Sequence, residues 1–298
     1  MIGRPRQRRE SSDAPDASID DLAIAASRLV DHLRPGRHLA RRTGDADEFY
    51  DYRAYASGDP LSRIDWRAAA RRDDLLVRRR RHEATMRVAL LVDSSASMAF
   101  SSIQPSDLPT KMRVAQQFAA AVALVTLRQG DSLTIRTSES RASSPSVLRG
   151  RRAIGEAYSI LSEIRSAGDD GAAAMFESLA QDPQKADVVF AVTDAIDDVD
   201  RLAAAMHAVA SRGAEIVLIQ IASPDELAPM PRGLALRDPE QRGASVVSHA
   251  RPSDAAAMMA DHIDVVRRSV QAHRGRHALH VTSKSPIDTL RAVLGVRR

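Results

Sequence analysis

The sequence predicts a doubly wound, mostly parallel α/β sheet with an N-terminal extension. Short apolar runs of strand type alternate with helical spans from residue 86 to the C-terminus, the order that βα units produce. Aromatic residues make up only 3% of the chain and cysteine is absent. The core must then be built from Val, Ile, Leu and Ala, as in sheets covered by Ala-rich helices. With 298 residues, 44% of them apolar, the chain can bury one large core or two modest ones.

The elements follow in order. Residues 1–17 are polar and aperiodic and are expected to form a disordered arm. No apolar core follows the opening charges, so no secretory signal is expected in this stretch. Leu22, Ile24, Ala25, Leu29, Val30 and Leu33 recur at helical spacing until Pro35-Gly36 stops the helix. Residues 36–85 then carry Phe49, Tyr50, Tyr52, Tyr55 and Trp66, half of the chain's aromatics. A linker does not need them, so the segment is a packed element or an interaction surface, although a tryptophan is more often buried than functional. Residues 18–85 are grouped as one N-terminal region and 86–298 as the α/β domain.

Within that domain the spacing predicts strands over 87–93, 131–137, 187–193, 215–222 and 278–282. Helices are predicted over 111–128, 151–165, 171–180, 199–211, 254–273 and from Pro286. The longest apolar stretch, Phe118 to Leu127, is about half a membrane span, so no spanning segment is expected. Lys+Arg 43 against Asp+Glu 39 gives a net charge of +4. The excess is uneven, with a block at Arg78 to Arg81. Such a run can bind nucleic acid, but a solvated or acid-paired strand is the reading preferred here. The lack of cysteine fits a reducing cytoplasm.

The strand at 87–93 ends on Asp93, followed by Ser95 and Ser97 at alternate positions, and a later strand ends at Asp194. Ligands of open α/β sheets bind outside the carboxyl ends of the strands. Two carboxylates at one edge repel unless a positive charge lies between them, and carboxylate with hydroxyl oxygens suits Mg²⁺, with Mn²⁺ or Ca²⁺ as alternatives. Asp and Ser are also ordinary helix caps. If the loop is exposed, Asp93→Ala is expected to leave metal-free stability within about 1 kcal/mol of wild type.

This pattern resembles the metal-ion-dependent adhesion site of von Willebrand factor A domains. The resemblance implies one Mg²⁺ held by the Asp and two Ser of the first loop, a Thr of a second loop and an Asp of a third, leaving a position for a partner's carboxylate. Here the second loop, "SAGDDGAAAM", offers Asp169 and Asp170 in place of Thr. Ahead of the strand, Phe49, Arg53, Tyr55, Gly58, Asp59, Arg63, Ile64, Asp65, Trp66, Ala70, Arg71 and Glu83 resemble the element that precedes the A-like domain in domain-of-unknown-function family 58. Arg53, Tyr55, Arg63, Asp65 and Trp66 are its partner-binding candidates. Many members carry membrane helices before the A-like domain; with its polar start this chain is expected to lack them. The resemblance also implies a partner class, MoxR-type AAA+ ATPases, with which such proteins act on client proteins.

For catalysis the sequence offers little. A haloacid-dehalogenase-type aspartate would need Asp where Ser95 stands, and neither a nucleophile elbow nor a phosphate loop is present. The expected function is therefore a non-enzymatic adaptor. The enzymatic alternative is a Mg²⁺-dependent phosphodiesterase or nuclease-like activity built on Asp93, Asp169, Asp170 and Asp194.

Overall fold

A helix, α1 (Ile19–Asp31), comes first in the computed structural model, which describes residues 19–31, 43–56, 64–66, 69, 75–83, 85–102, 107–138, 145–228, 236–237, 245–246 and 252–294. The expected arm over 1–17 lies outside the described residues. The chain forms two compact units, Pro35–Met86 and a larger one comprising Met1–Arg34 with Arg87–Arg298. The helix α1 therefore belongs with the sheet rather than with the aromatic segment beside it in sequence.

The smaller unit is built on an antiparallel pair, β1 (Thr43–Ala54) and β2 (Leu76–Glu83). Tyr52 stands opposite Arg78, Asp51 opposite Arg79, Phe49 opposite Arg80 and Glu48 opposite Arg81. The basic run is thus one strand of a ladder whose other strand carries acids and aromatics. Pairing continues past the strands, where the Tyr55 amide donates to the Leu75 carbonyl at 2.7 Å and the Asp65 amide to the Leu76 carbonyl at 2.9 Å.

In the larger unit the chain runs through β3 (Arg87–Val92), α2 (Lys111–Arg128), β4 (Ser132–Thr137), β5 (Leu148–Arg149), α3 (Ile154–Glu163), α4 (Ala172–Gln181) and β6 (Val188–Thr193). It continues through α5 (Val199–Ser211), β7 (Glu215–Ala222), α6 (Pro224–Leu227), β8 (Leu236–Arg237), β9 (Ser245–Val246), α7 (Pro252–Ala272), β10 (Arg276–Val281) and α8 (Pro286–Leu294). The main sheet has the order β10-β7-β6-β3-β4-β5. All its pairings are parallel except that of the short edge strand β5 with β4. This is the expected doubly wound α/β class.

Alternation along the strands divides the core. Ala89, Leu91, Val189, Ala191, Ile216 and Leu218 pack with residues of α4, α5 and α7, among them Phe176, Met206 and Val266. The intervening residues Val88, Leu90, Val92, Phe190, Val192, Val217 and Ile219 are also buried, on the other face of the pleat, where α2 meets β3, β4, β6 and β7. Thr110 caps α2 by accepting from the Arg113 amide at 3.0 Å. Helix α1 packs on α2, with an Arg113–Asp21 ion pair at 3.3 Å.

Candidate functional site

After β3 the chain moves outward to β4 and β5, then returns to the other side of β3 with β6. That reversal is the topological switch point, where loops diverge to opposite faces and leave a crevice. Asp93 follows β3 and Asp194 follows β6, so the fold puts both carboxylates at the same end of adjacent strands.

The loop after β3 is held from within. The Asp93 amide donates to the Val192 carbonyl at 3.0 Å, which extends the pairing with β6. Asp93 Oδ1 accepts from the Ser95 amide at 2.9 Å and Oδ2 from the Thr193 hydroxyl at 2.5 Å. The Ser95 and Ser97 hydroxyls lie 3.0 Å apart, and a 3₁₀ turn over Ala96–Ala99 carries the chain onward. Ser94 turns to the other side, where its hydroxyl meets that of Ser138 at 2.7 Å.

These groups are buried: Asp93 is 1% exposed, Ser95 2% and Asp194 3%. The expectation of an exposed loop is thus corrected, and with it the expectation that Asp93→Ala costs little. Burial, and after it the neighbouring Asp194 carboxylate, pushes the Asp93 carboxyl up to about 7.

The second loop is tied to the first through its backbone. The Ser94 carbonyl accepts from the Ala167 and Gly168 amides at 3.0 and 3.2 Å, and the Gly168 carbonyl from the Ala96 amide at 2.8 Å. The carboxylates that follow are less enclosed, Asp169 being exposed and Asp170 half-buried. Among the described residues no three acidic or histidine side chains meet as a metal-holding group.

The third loop carries features that the sequence did not reveal. Ala195 has a left-handed backbone, φ 55°, a conformation that costs a non-glycine residue energy and persists only where its surroundings hold it. Its amide donates to Thr193 Oγ1 at 2.7 Å, and its carbonyl accepts from His262 Nε2 at 2.7 Å. Asp194 Oδ2 accepts from the Lys111 ammonium at 2.7 Å and Oδ1 from the Ile196 amide at 3.2 Å. Three residues on, Asp197 accepts from the Ala173 amide at 3.0 Å at the start of α4. Burial raises the Asp197 carboxyl above its usual range, the amide hydrogen bond opposes this, and Asp194 adds to it.

The donor set of Asp93, Ser95, Ser97 and Asp194 is all hard oxygen and fits a hard divalent cation in type. The positive charge already beside Asp194 belongs to Lys111, and the second loop presents carboxylates where a Thr hydroxyl is implied.

Of the partner-binding candidates, Arg53 stands in β1 opposite Val77. Tyr55 is half-buried, Asp65 is buried and Trp66 is 62% exposed. Arg63 lies outside the described residues.

An α/β protein with an acid and hydroxyl loop at its switch point is the class that fold and site define. The chain belongs to the family described as protein of unknown function DUF58, whose model matches residues 51–262. The chain is similar to the crystal structure of an aerotolerance-related membrane protein from Bacteroides fragilis NCTC 9343 carrying multiple mutations to serine. The identity is 17%, covering 70% of this chain and 98% of that one, with a TM-score of 0.44. The BatB protein of Bacteroides thetaiotaomicron is also similar, at 17% identity over 69% and 95% of the two chains and a TM-score of 0.42. The SpRpn10 VWA domain matches at 14% identity over 70% and 94%, with a TM-score of 0.38. A search of curated proteins gives no match. Among the described residues no helix is long and apolar enough to cross a membrane.

Proposed function

We propose that the protein is a non-enzymatic interaction module whose strand-end site takes up a carboxylate from another protein through a divalent cation. The observation that carries this reading is the convergence of Asp93, Ser95 and Ser97 with Asp194 at the switch point, in a loop braced by Thr193 and the backbone of the second loop. Asp93 and the two hydroxyls would hold the cation, with Asp194 beside them. The cation, Mg²⁺ with Mn²⁺ or Ca²⁺ as alternatives, would supply a hard Lewis-acidic charge that an Asp or Glu of the partner completes. The chain's own residues keep the acceptors aimed and, by burial, raise the cost of leaving Asp93 charged and alone.

The partner class suggested by the family resemblance is a MoxR-type AAA+ ATPase, a client protein, or both, and the solvent-facing Trp66 offers a second contact. Capture of the purified ATPase from the same genome in Mg²⁺ and in chelator tests the reading. Capture is expected in Mg²⁺ only, and to be lost in Ser95→Ala. A complex that persists unchanged in chelator would overturn it, as would Mg²⁺-dependent turnover of a phosphoester panel.

A further inference from the structure

Lys111 opens α2, yet its side chain is 1% exposed, among the largest fully buried side chains described. Its ammonium lies 2.7 Å from Asp194 Oδ2 and 2.7 Å from Glu226 Oε1, and 5.8 Å from the centre of the Phe100 ring. Burial disfavours the charge, but the Asp194 and Glu226 carboxylates outweigh it and hold the ammonium above its ordinary value. Glu226 is itself fixed. Its Oε2 accepts from the Ser223 amide at 2.7 Å in a capping box that starts α6. The neighbouring Asp225 accepts from the Ser102 hydroxyl at 2.9 Å. The third loop, the turn after β7 and the start of α2 therefore meet around one ammonium.

We propose that Lys111 is the resident cation of this site: its ammonium lies between Asp194 and Glu226 and supplies the positive charge that a divalent ion would otherwise supply there, so these two carboxylates stay together without metal. The buried Asp194 and the half-buried Glu226, with nothing between them, would repel. Removing the partner of a buried charge is far more costly than never having placed it there. With Lys111 present, a divalent ion adds to an already balanced pair and modulates a site that is otherwise in order. Without Lys111, Asp194 and Glu226 form a vacant two-carboxylate site for a hard cation.

The inference rests on the proposed function only for the response of the wild type; the response of the variants is separate. Thermal unfolding of the full chain in chelator and in about 10 mM Mn²⁺ or Mg²⁺ reads both. In chelator, Lys111→Met is expected to melt about 10 °C below wild type and to regain about half of that with Mn²⁺, while wild type gains no more than about 2 °C. Lys111→Arg is expected to keep the wild-type response because it keeps a cation. If Lys111→Met does not fold, Glu226→Gln is compared with Lys111→Met/Glu226→Gln, in which only one carboxylate is left bare. Mn²⁺ followed by electron paramagnetic resonance is expected to bind the double variant about tenfold more tightly. A Lys111→Met protein no more responsive to divalent ions than wild type, or equal Mn²⁺ affinity in the second pair, would overturn the inference. A responsive Lys111→Met beside a wild type that binds no divalent ion would support it and overturn the proposed function instead.

Discussion

Truncating Asp93 removes one acceptor from two buried donors at once, the Ser95 amide and the Thr193 hydroxyl. A buried donor left without a partner costs about 1–3 kcal/mol, so Asp93→Ala is expected to lose about 2–4 kcal/mol in chelator. Asp93→Asn has a different balance. Its amide oxygen keeps the acceptor for the Ser95 amide and the charge that Asp194 opposes is gone, but its NH₂ cannot accept the Thr193 hydroxyl hydrogen, so its metal-free cost is expected at about 1–2 kcal/mol, below that of Asp93→Ala. Both variants are expected to lose cation binding, and urea unfolding beside titration calorimetry separates the two effects. His280 supplies a pH dependence away from the site. Burial, assisted by Lys284, lowers its imidazole from 6.5 to about 4, and it packs edge-on against Phe118 at 4.9 Å with Nδ1 at 2.9 Å from Thr289 Oγ1. The unfolded chain takes up this proton first as pH falls, so the contribution is present above about 6.5 and is lost on falling through about 4. The stability advantage of wild type over His280→Asn is expected to shrink by about 1–2 kcal/mol between pH 7 and pH 5. The comparison is needed because Asp93, raised to about 7, acts in the opposite sense, its contribution being lost as pH rises through that value.

The third loop and the start of α4 share one carboxylate. Asp197 caps the helix, and a Cβ at Gly171 would meet Asp197 Oδ2 at 2.6 Å. Gly171→Ala is therefore expected to push Asp197 off the Ala173 amide and cost about 1–3 kcal/mol in urea unfolding. Most elements were legible because each carried a local signature. The strand at 188–193 is a continuous apolar run, and α5 runs from Val199 to Ser211 as its periodicity required. What escaped was set by distant partners. The edge strand β5 is two residues long and has no period to read. The 3₁₀ turn at Ala96–Ala99 arises where Ser95 is held by Asp93. At the site, Asp93, Ser95 and Ser97 were visible because they fall at alternate positions in one short run, and Asp194 because it closes a strand. Lys111 and Glu226 were not, since Lys111 stands 83 residues before Asp194 and 115 residues before Glu226. A lysine at the first position of a helix reads as an ordinary solvated charge until the fold buries it.

At the scale of the whole molecule the question is which parts the site needs. The family match runs from residue 51, inside the smaller unit, to residue 262, within α7, whereas the compact units divide at Arg34 and Arg87. The carboxylates, hydroxyls, Lys111 and Glu226 all belong to the larger unit, and so does α1, whose Ala26 is fully buried and whose Asp21 pairs with Arg113, the third residue of α2. Sequence order suggested cutting before residue 86, which would strip α1 from α2. A chain in which residues 35–86 are replaced by a flexible Gly/Ser linker of about 15 residues is expected to unfold cooperatively and to bind Mn²⁺ as the full chain does. A chain beginning at Arg87 is expected to be less stable by about 2 kcal/mol or more, because the apolar face of α1 no longer covers α2. Partner capture is expected to divide differently. If the exposed Trp66 and its strand pair recognise the ATPase, the linker chain keeps cation binding and loses affinity for the partner, and Trp66→Ala in the full chain reproduces that loss. Equal capture by the full chain, the linker chain and Trp66→Ala would assign all of the recognition to the strand-end site, with the smaller unit serving another purpose.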